Sequence, residues 1–286
     1  MIKRLAIIGV GLIGGSLALA LKKAGKVGEV VGYSRTKSVR EQALSLGIID
    51  RAADNIADAV KDADIIFLAV PMGAMSSVLS DVVPHINTDT IITDGGSAKA
   101  QVVEQARQVL ADKFSQFVPG HPIAGTEKSG PTSAFAELYQ DHRVVLTPVA
   151  ETNTDALEKV RTMWQSAGAE VFDMAADQHD VVLAATSHLP HVLAFNLVGM
   201  LAQREDCNDV LRYAAGGFKD FSRIASGDPV MWRDICFSNK EAILGLLEQY
   251  HQGLNKIEQA IREQDGDSLI SVFERAKQAR DTRFSE

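Results

Sequence analysis

The sequence predicts an α/β fold in which a parallel sheet, covered by helices on both faces, is followed by an all-helical part. Strand and helix patterns alternate to about residue 170, as a parallel sheet with helical crossovers requires. A glycine-rich turn joins the first strand to the first helix. From Ala175 onward the β-rich runs stop, and apolar residues fall at helical spacing through Leu183, Leu193, Leu197, Leu201, Leu211, Ile243, Leu247 and Leu254.

The first strand is expected at 4–9, where Leu5-Ala6-Ile7-Ile8 is an apolar run of the kind carried by a strand buried on both faces. Further strands are expected at 29–33, 64–70, 90–94, 116–119, 143–147 and 169–173, with helices at 12–24, 36–46, 74–82, 99–112 and 154–167. Between the first strand and helix lies Gly-Val-Gly-Leu-Ile-Gly at 9–14. Gly9 permits the sharp turn, Gly11 has no Cβ to hold a pyrophosphate off the backbone, and Gly14 lets helix and strand pack closely. The free N–H groups and positive dipole end of the helix, with Leu12 and Ile13 in its first turn, then face the phosphates. This context marks a Rossmann-type dinucleotide-binding domain, expected at residues 1–174, with a helical second domain at 175–286. The second domain carries too many apolar residues for one stripe per helix, so some helices should pair with another subunit and a homodimer is expected.

At 286 residues, 46% hydrophobic and 23% charged, the chain has the composition of an ordinary globular protein. Its net charge of -8 provides no basic face for nucleic acid or anionic lipid, so an anionic ligand must be held by a few placed cations. Two cysteines, Cys207 and Cys236, make no disulfide framework, and Met1-Ile2-Lys3-Arg4 opens no signal peptide, which points to the cytoplasm. No uninterrupted apolar run approaches the ~20 residues of a membrane span, and no membrane association is expected. The last helical pattern runs almost to Glu286, so no appended regulatory domain is expected.

NAD-type folds usually carry an acid at the end of the second strand to bind the ribose hydroxyls. Here that position reads Ser34-Arg35-Thr36. Ser34 can donate to a 2′-phosphate and Arg35 can bind it or stack on adenine, whereas a carboxylate would repel it. NADP is therefore expected over NAD, with use of both open. Val70 and Pro71, at and just past the carboxyl end of the strand at 64–70, are also expected against the cofactor, since ligands lie at the carboxyl ends of the strands.

Three segments are rich in polar groups: Asp94-Gly95-Gly96-Ser97-Ala98-Lys99, Gly120-His121-Pro122-Ile123-Ala124-Gly125-Thr126-Glu127, and Ser187-His188-Leu189-Pro190-His191. The first two follow expected strands, so Ser97 and His121 should project into the cofactor crevice. The third lies on a helix that Pro190 should kink. A near-neutral imidazole suits His121 to general-base work, though a strand-end histidine can equally be structural.

In this order and spacing, together with GVGLIGGS at 9–16, GHPIAGTEKSG at 120–130 and GGFKDFSRIASGDPVMWRDI at 216–235, the segments resemble the prephenate dehydrogenase family, of the cyclohexadienyl (arogenate) dehydrogenase group of tyrosine biosynthesis. The resemblance spans nearly the whole chain and implies an N-terminal Rossmann domain followed by a helical dimerisation domain. It implies oxidative decarboxylation of prephenate to 4-hydroxyphenylpyruvate, with arogenate as an alternative substrate and tyrosine as a candidate inhibitor. It assigns the general base to His121, the residue between nicotinamide and substrate to Ser97, side-chain binding to His191 and carboxylate capture to Arg223. Thr126 and Glu127 line up at the pocket mouth, where Lys219 could pair with Asp180 or Glu127 as a gate. A histidine at 191 implies prephenate or dual acceptance. Trp232 reads as core or interface.

Other readings stay open on the residues alone. His179-Asp180 with His188 and His191 could be read as a metal site, but hydride transfer with decarboxylation needs no metal and none is expected. A β-hydroxyacid dehydrogenase shares the layout but uses a lysine in its helical domain, and a dinucleotide-binding redox sensor would not need His121, His191 and Arg223 together. An arogenate-specific enzyme is the nearest alternative.

Overall fold

The computed structural model describes residues 1–284; Ser285 and Glu286, the last two residues of the expected second domain, lie outside the described residues. Elements in the first half run β1 (Ile2–Ile8), α1 (Leu12–Lys23), β2 (Val27–Tyr33), α2 (Lys37–Ser45), β3 (Arg51–Ala52), α3 (Ile56–Val60), β4 (Ile65–Leu68), α4 (Met75–Val82), β5 (Ile91–Asp94), α5 (Ala100–Leu110), β6 (Phe117–Val118), β7 (Gly120–Ile123) and β8 (Arg143–Leu146). They continue with α6 (Thr154–Ser166), β9 (Glu170–Asp173), α7 (Ala176–Leu183), α8 (Leu189–Ala202), α9 (Cys207–Arg212), α10 (Gly216–Ser222), α11 (Pro229–Ser238), α12 (Lys240–Glu263) and α13 (Gly266–Phe284). By packing, the chain forms two compact units, Met1–Lys240 and Glu241–Glu286.

Six parallel strands in the order β3-β2-β1-β4-β5-β6 form the main sheet of the first unit. The order reverses beside β1, which opens a crevice at the carboxyl ends of β1 and β4. Alternate residues of β1 feed the two faces: Leu5 and Ile7 enter one apolar cluster, Ala6 and Ile8 the other. Both faces are dry, which is why β1 reads as an unbroken apolar run rather than an alternating one.

The strands expected at 143–147 and 169–173 do not extend this sheet. They are β8 and β9 of a separate three-stranded sheet, β7-β8-β9, in which β7 runs antiparallel to β8. The expected strand at 116–119 ends at Val118, because Pro119 has no N–H for the ladder, and the chain restarts as β7 on the edge of the second sheet. That edge position tolerates Pro122. The short β3 and α3 carry too little pattern to be read from sequence.

A buried ion pair joins the two sheets. Lys99 Nζ contacts Asp94 Oδ2 at the end of β5 and donates to the carbonyl of Gly120 at the start of β7 (2.8 Å). Asp94 in turn accepts from the N–H of Gly96 (2.8 Å) and of Gly120 (3.1 Å). Both side chains are fully buried. Burial pushes the Lys99 ammonium below its ordinary range, and Asp94 opposes that shift. Such a pair is tolerated inside a protein only when its remaining donors and acceptors are satisfied, as these are by backbone groups.

Beyond β9, α7 and α8 are joined by one wide π-helical turn, Ala184–His188. The disruption expected at Pro190 takes this form, since Pro190 near the start of α8 cannot donate to the preceding turn. The resulting helix, Ala176–Ala202, has 27 residues and a segment of mean hydropathy 1.5. By length and composition it could cross a bilayer, contrary to the expectation from uninterrupted runs, because its polar residues are scattered through it. Its Asp180 and His179 are hydrogen-bonded to residues of α5 and β7, an attachment that a lipid-embedded helix could not keep. Only 22% of the apolar segment is buried within the chain, so much of its surface is left uncovered.

The second unit consists of most of α12 together with α13, which expose Leu254, Ile261, Ile270 and Phe273.

Lys99→Met is expected to lower stability by about 3–5 kcal/mol, because it leaves Asp94 buried without its counter-charge. Urea unfolding of the two proteins measures the difference; an unchanged midpoint would mean the pair is not what joins the sheets.

Candidate active site

At the carboxyl end of β1 the backbone dictates the glycines. Gly9 sits at φ +102, and a Cβ there would meet the carbonyl oxygen of Ala69 at 2.2 Å, while one on Gly14 would meet the carbonyl oxygen of Gly9 at 2.3 Å. A Cβ on Gly11 would meet nothing within 4 Å, so the space in front of α1 is open. Gly11 caps α1 without any side-chain hydrogen bond, leaving the first N–H groups of that helix, at Leu12 and Ile13, for a ligand. A dinucleotide pyrophosphate fits this cradle. Val70 is half-buried against Gly9 and Pro71 is exposed beside it.

At the end of β2, Ser34 Oγ accepts the N–H of Val10 (3.0 Å), which leaves its hydroxyl proton free to donate. Arg35 and Thr36 are exposed. Sequence reading missed Arg40: its Nη1 donates to the carbonyls of Ser34 (2.6 Å) and Arg35 (3.3 Å), and its guanidinium lies 5.5 Å over the Tyr33 ring. The only clue in the sequence is a basic residue one helical turn beyond Thr36.

The chemistry-bearing core of the site is a chain of three side chains. His121 Nδ1 lies 2.8 Å from His179 Nε2, and His179 Nδ1 lies 2.8 Å from Asp180 Oδ1. Asp180 also accepts the N–H groups of Lys99 (2.7 Å) and Ala100 (2.9 Å), so it caps the start of α5. Burial pushes the Asp180 carboxyl up, but the hydrogen bonds from His179, Lys99 and Ala100 outweigh it and leave the group below its usual range. The protons then have one neutral arrangement. An ionised Asp180 can only accept, so His179 carries its proton on Nδ1 and accepts at Nε2; His121 must donate from Nδ1 and keeps a lone pair on Nε2. His121 is held well below the ordinary histidine value of 6.5, first by burial and then by His179, Lys99 and His188. It is more acidic than the unperturbed histidine that sequence alone would suggest.

The wide turn aligns the remaining histidines. His179 and His191 are 12 residues apart, which on a plain α-helix would set them roughly 120° apart; absorbing one extra residue reduces this to about 20°. His188 is buried and neutral, held down at about 4 chiefly by burial, with Nδ1 3.1 Å from the amide nitrogen of Asn239, which also donates to the Asp180 carbonyl (2.7 Å). His191 donates from Nδ1 to the Ser187 carbonyl (2.8 Å) and stacks on Trp232, with ring centroids 3.8 Å apart and planes at 22°. Trp232 is thus both core and the wall behind His191.

Ser97 stands half-buried in the loop between Asp94 and Lys99. Thr126 and Glu127 are exposed on the loop after β7, and Arg223 reaches Glu127 at 3.5 Å from the turn after α10. The gate expected from Lys219 is not formed. Lys219 is exposed and makes neither contact, since Asp180 is buried and committed to His179 and α5, while Glu127 is taken by Arg223. Arg223 is itself exposed rather than buried. The His179-Asp180 motif, open to a metal reading from sequence, is used in hydrogen bonding to His121.

Comparison with known proteins now decides the family. Residues 17–173 match the model "Prephenate dehydrogenase, nucleotide-binding domain" and residues 175–275 match "Prephenate dehydrogenase, dimerization domain". The chain is 41% identical to a cyclohexadienyl dehydrogenase of Zymomonas mobilis over 97% of this chain and 95% of that one. The chain belongs to the prephenate dehydrogenase family. Membership makes it a nicotinamide-dependent oxidoreductase in which a parallel-sheet nucleotide-binding domain precedes a dimerisation domain, as the sequence predicts. A Bacillus subtilis prephenate dehydrogenase is 37% identical, covering 96% of this chain and 74% of its own. The crystal structure of Aquifex aeolicus prephenate dehydrogenase in complex with hydroxyphenyl propionate and NAD+ superposes with a TM-score of 0.90, at 35% identity over 98% of both chains. The β-hydroxyacid dehydrogenase and redox-sensor readings give way to this family.

Two glycines separate binding from folding. Gly11→Val is expected to keep the melting temperature while raising the KM for dinucleotide by an order of magnitude or more, since its side chain enters open ligand space. Gly14→Val should instead lower the melting temperature, because it strikes backbone. Thermal melts and cofactor titrations of both variants check the contrast.

Proposed function

We propose that this chain oxidatively decarboxylates prephenate to 4-hydroxyphenylpyruvate, with arogenate as a second substrate, and that His121 is its general base. The observation that carries the reading is the Asp180–His179–His121 chain, which fixes a lone pair on His121 Nε2. His121 takes the proton of the ring hydroxyl at Nε2 while the C–H pair leaves as hydride. The nicotinamide, when bound, accepts that hydride. The bond to the ring carboxylate breaks, CO2 departs, its electron pair completes the aromatic ring, and the ring oxygen takes its proton back from His121. Aromatisation supplies much of the driving force, so the protein's work is to orient a dianion and hold one proton. The charge developing on His121 is stabilised through His179 by Asp180.

Ser97 is assigned to the gap between cofactor and substrate, Arg223 to a substrate carboxylate and His191 to the side chain. Glu127 and Thr126 form the mouth, where the Arg223–Glu127 pair must open for an anionic substrate. Lys219 adds positive charge to the entrance without a fixed partner. The cofactor is read as NADP, held by Gly9, Gly11 and Gly14 through backbone approach, by Leu12 and Ile13 N–H groups, by Val70 and Pro71 at the crevice wall, and by Ser34, Arg35 and Thr36 at the 2′-phosphate. The domain division is drawn at 174/175, the helical part pairs two copies into a homodimer through the uncovered apolar face of Ala176–Ala202, and the enzyme works in the cytoplasm.

An assay of prephenate and arogenate against NAD and NADP tests the activity, and absence of reduced cofactor in all four combinations would refute it. His121→Asn is expected to bind substrate while lowering kcat by about 10²–10⁴, the usual contribution of a general base. In the wild type, kcat should fall as pH drops through the His121 pKa, and because that pKa is depressed the fall should lie on the acid side of 6.5; the variant should lack this limb. A variant keeping the same limb would place the base elsewhere.

Cofactor choice gives a separate test. Ser34→Asp is expected to reverse a preference for NADP, by repelling the 2′-phosphate and accepting from the ribose hydroxyls. A native enzyme that ignores NADP would overturn this part of the reading.

A further inference from the structure

We propose that Arg40 sets the choice of nucleotide without touching it. By occupying the backbone acceptors of the Ser34-Arg35-Thr36 turn, Arg40 leaves that turn a surface of donors, which suits a 2′-phosphate and not a ribose diol. The inference rests on the NADP reading and adds to it a positioning residue on which the selectivity depends.

Arg40 lies near the start of α2, and its side chain is only 11% exposed. The guanidinium is held 5.5 Å over the Tyr33 ring, with Nη2 3.9 Å from Asp54. From there Nη1 donates to the carbonyls of Ser34 (2.6 Å) and Arg35 (3.3 Å), and the Arg40 backbone N–H donates to the carbonyl of Thr36 (3.4 Å). The Tyr33 carbonyl is taken by the N–H of Gly9 (2.8 Å). Each backbone carbonyl from Tyr33 to Thr36 therefore already has a donor. A guanidinium does not lose its proton in a protein, so Arg40 stays a donor at every working pH.

In a trans peptide the C=O and N–H point in opposite directions, and no peptide bond here is cis among the described residues. Turning the Ser34 and Arg35 carbonyls toward Arg40 thus turns the N–H groups of Arg35 and Thr36 away from it. Neither N–H meets an acceptor among the described residues. The Ser34 hydroxyl, anchored by the N–H of Val10 (3.0 Å), adds a third donor. A phosphate group accepts at every oxygen and is matched by such a surface. A ribose hydroxyl must also give a proton to an acceptor, which an acid at the end of β2 would supply. The turn has no acid, and Arg40 already engages its carbonyls.

Calorimetric titration of the full chain with NADP and with NAD, substrate absent, measures the selectivity as a ratio of Kd values. In Arg40→Met the ratio is expected to move about tenfold or more toward NAD, the contribution of one hydrogen bond to a charged group. NADP should bind more weakly and NAD at least as well as before, since the freed carbonyls can accept from the ribose. A merely structural residue would weaken both nucleotides alike. Arg40→Lys, which keeps donors for the carbonyls, should hold the ratio within about threefold of the wild type. Arg40→Gln, shorter and neutral, keeps the test readable if Arg40→Met does not fold, and is expected to give an intermediate ratio. A ratio unchanged in the Met or Gln variant, or an equal loss of both nucleotides, would overturn the inference alone. A wild type that binds NADP no better than NAD overturns it together with the NADP reading.

Discussion

The carboxylate of Asp180 is the constraint on which the site depends. It accepts from the first N–H groups of α5 and from His179, so one buried charge fixes where the α7–α8 helix lies against the sheet and which nitrogen of His121 is free. The loop bearing Ser97 ends at the same hydrogen bonds. A shift of Asp180 would move the helix, the loop and His121 together. The neighbouring Asp94–Lys99 pair performs the complementary task, tying the strand that carries His121 to the end of β5. Two buried carboxylates, each fully hydrogen-bonded, thus convert a crossing of two sheets and a helix into a rigid site.

Tautomer control recurs through the cleft. Asp180 orders the protons of His179 and His121, Asn239 makes Nδ1 of His188 an acceptor, and the Ser187 carbonyl does the reverse for His191. Burial lowers the proton affinity of His121, His188 and His191; His121 and His191 keep their proton on Nδ1 and a lone pair on Nε2, whereas His188 accepts at Nδ1. Which nitrogen of each ring can accept a proton is therefore set by the partner of the other nitrogen. The wide turn Ala184–His188 makes this possible by bringing His191 almost onto the face of His179.

Positive charge is rationed in a chain of net charge -8. Arg223, on the turn after α10, is already matched by Glu127 on the loop after β7. At the cofactor end, Arg40 is spent on the backbone carbonyls that shape the Ser34–Arg35 turn, leaving Arg35 exposed.

The sequence by itself determined the parallel sheet, the glycine turn and the helical second part, because buried strands, crossover helices and a phosphate cradle each leave a local signature in apolar runs, spacing and glycines. It also nominated His121, Ser97, His191 and Arg223 as candidates, from polar segments placed after expected strands and from resemblance to the family. Only the tertiary structure decided that β7, β8 and β9 form a sheet of their own, since strand partners are non-local and Pro119 alone hints at the break. Only the fold could bring His179 and Asp180 to His121 across 58 positions of chain, set Arg223 rather than Lys219 against Glu127, and bury Lys99 with Asp94. Hydrogen bonding and burial depend on what surrounds a side chain in space, and that surrounding is assembled from segments whose local sequence carries no record of one another.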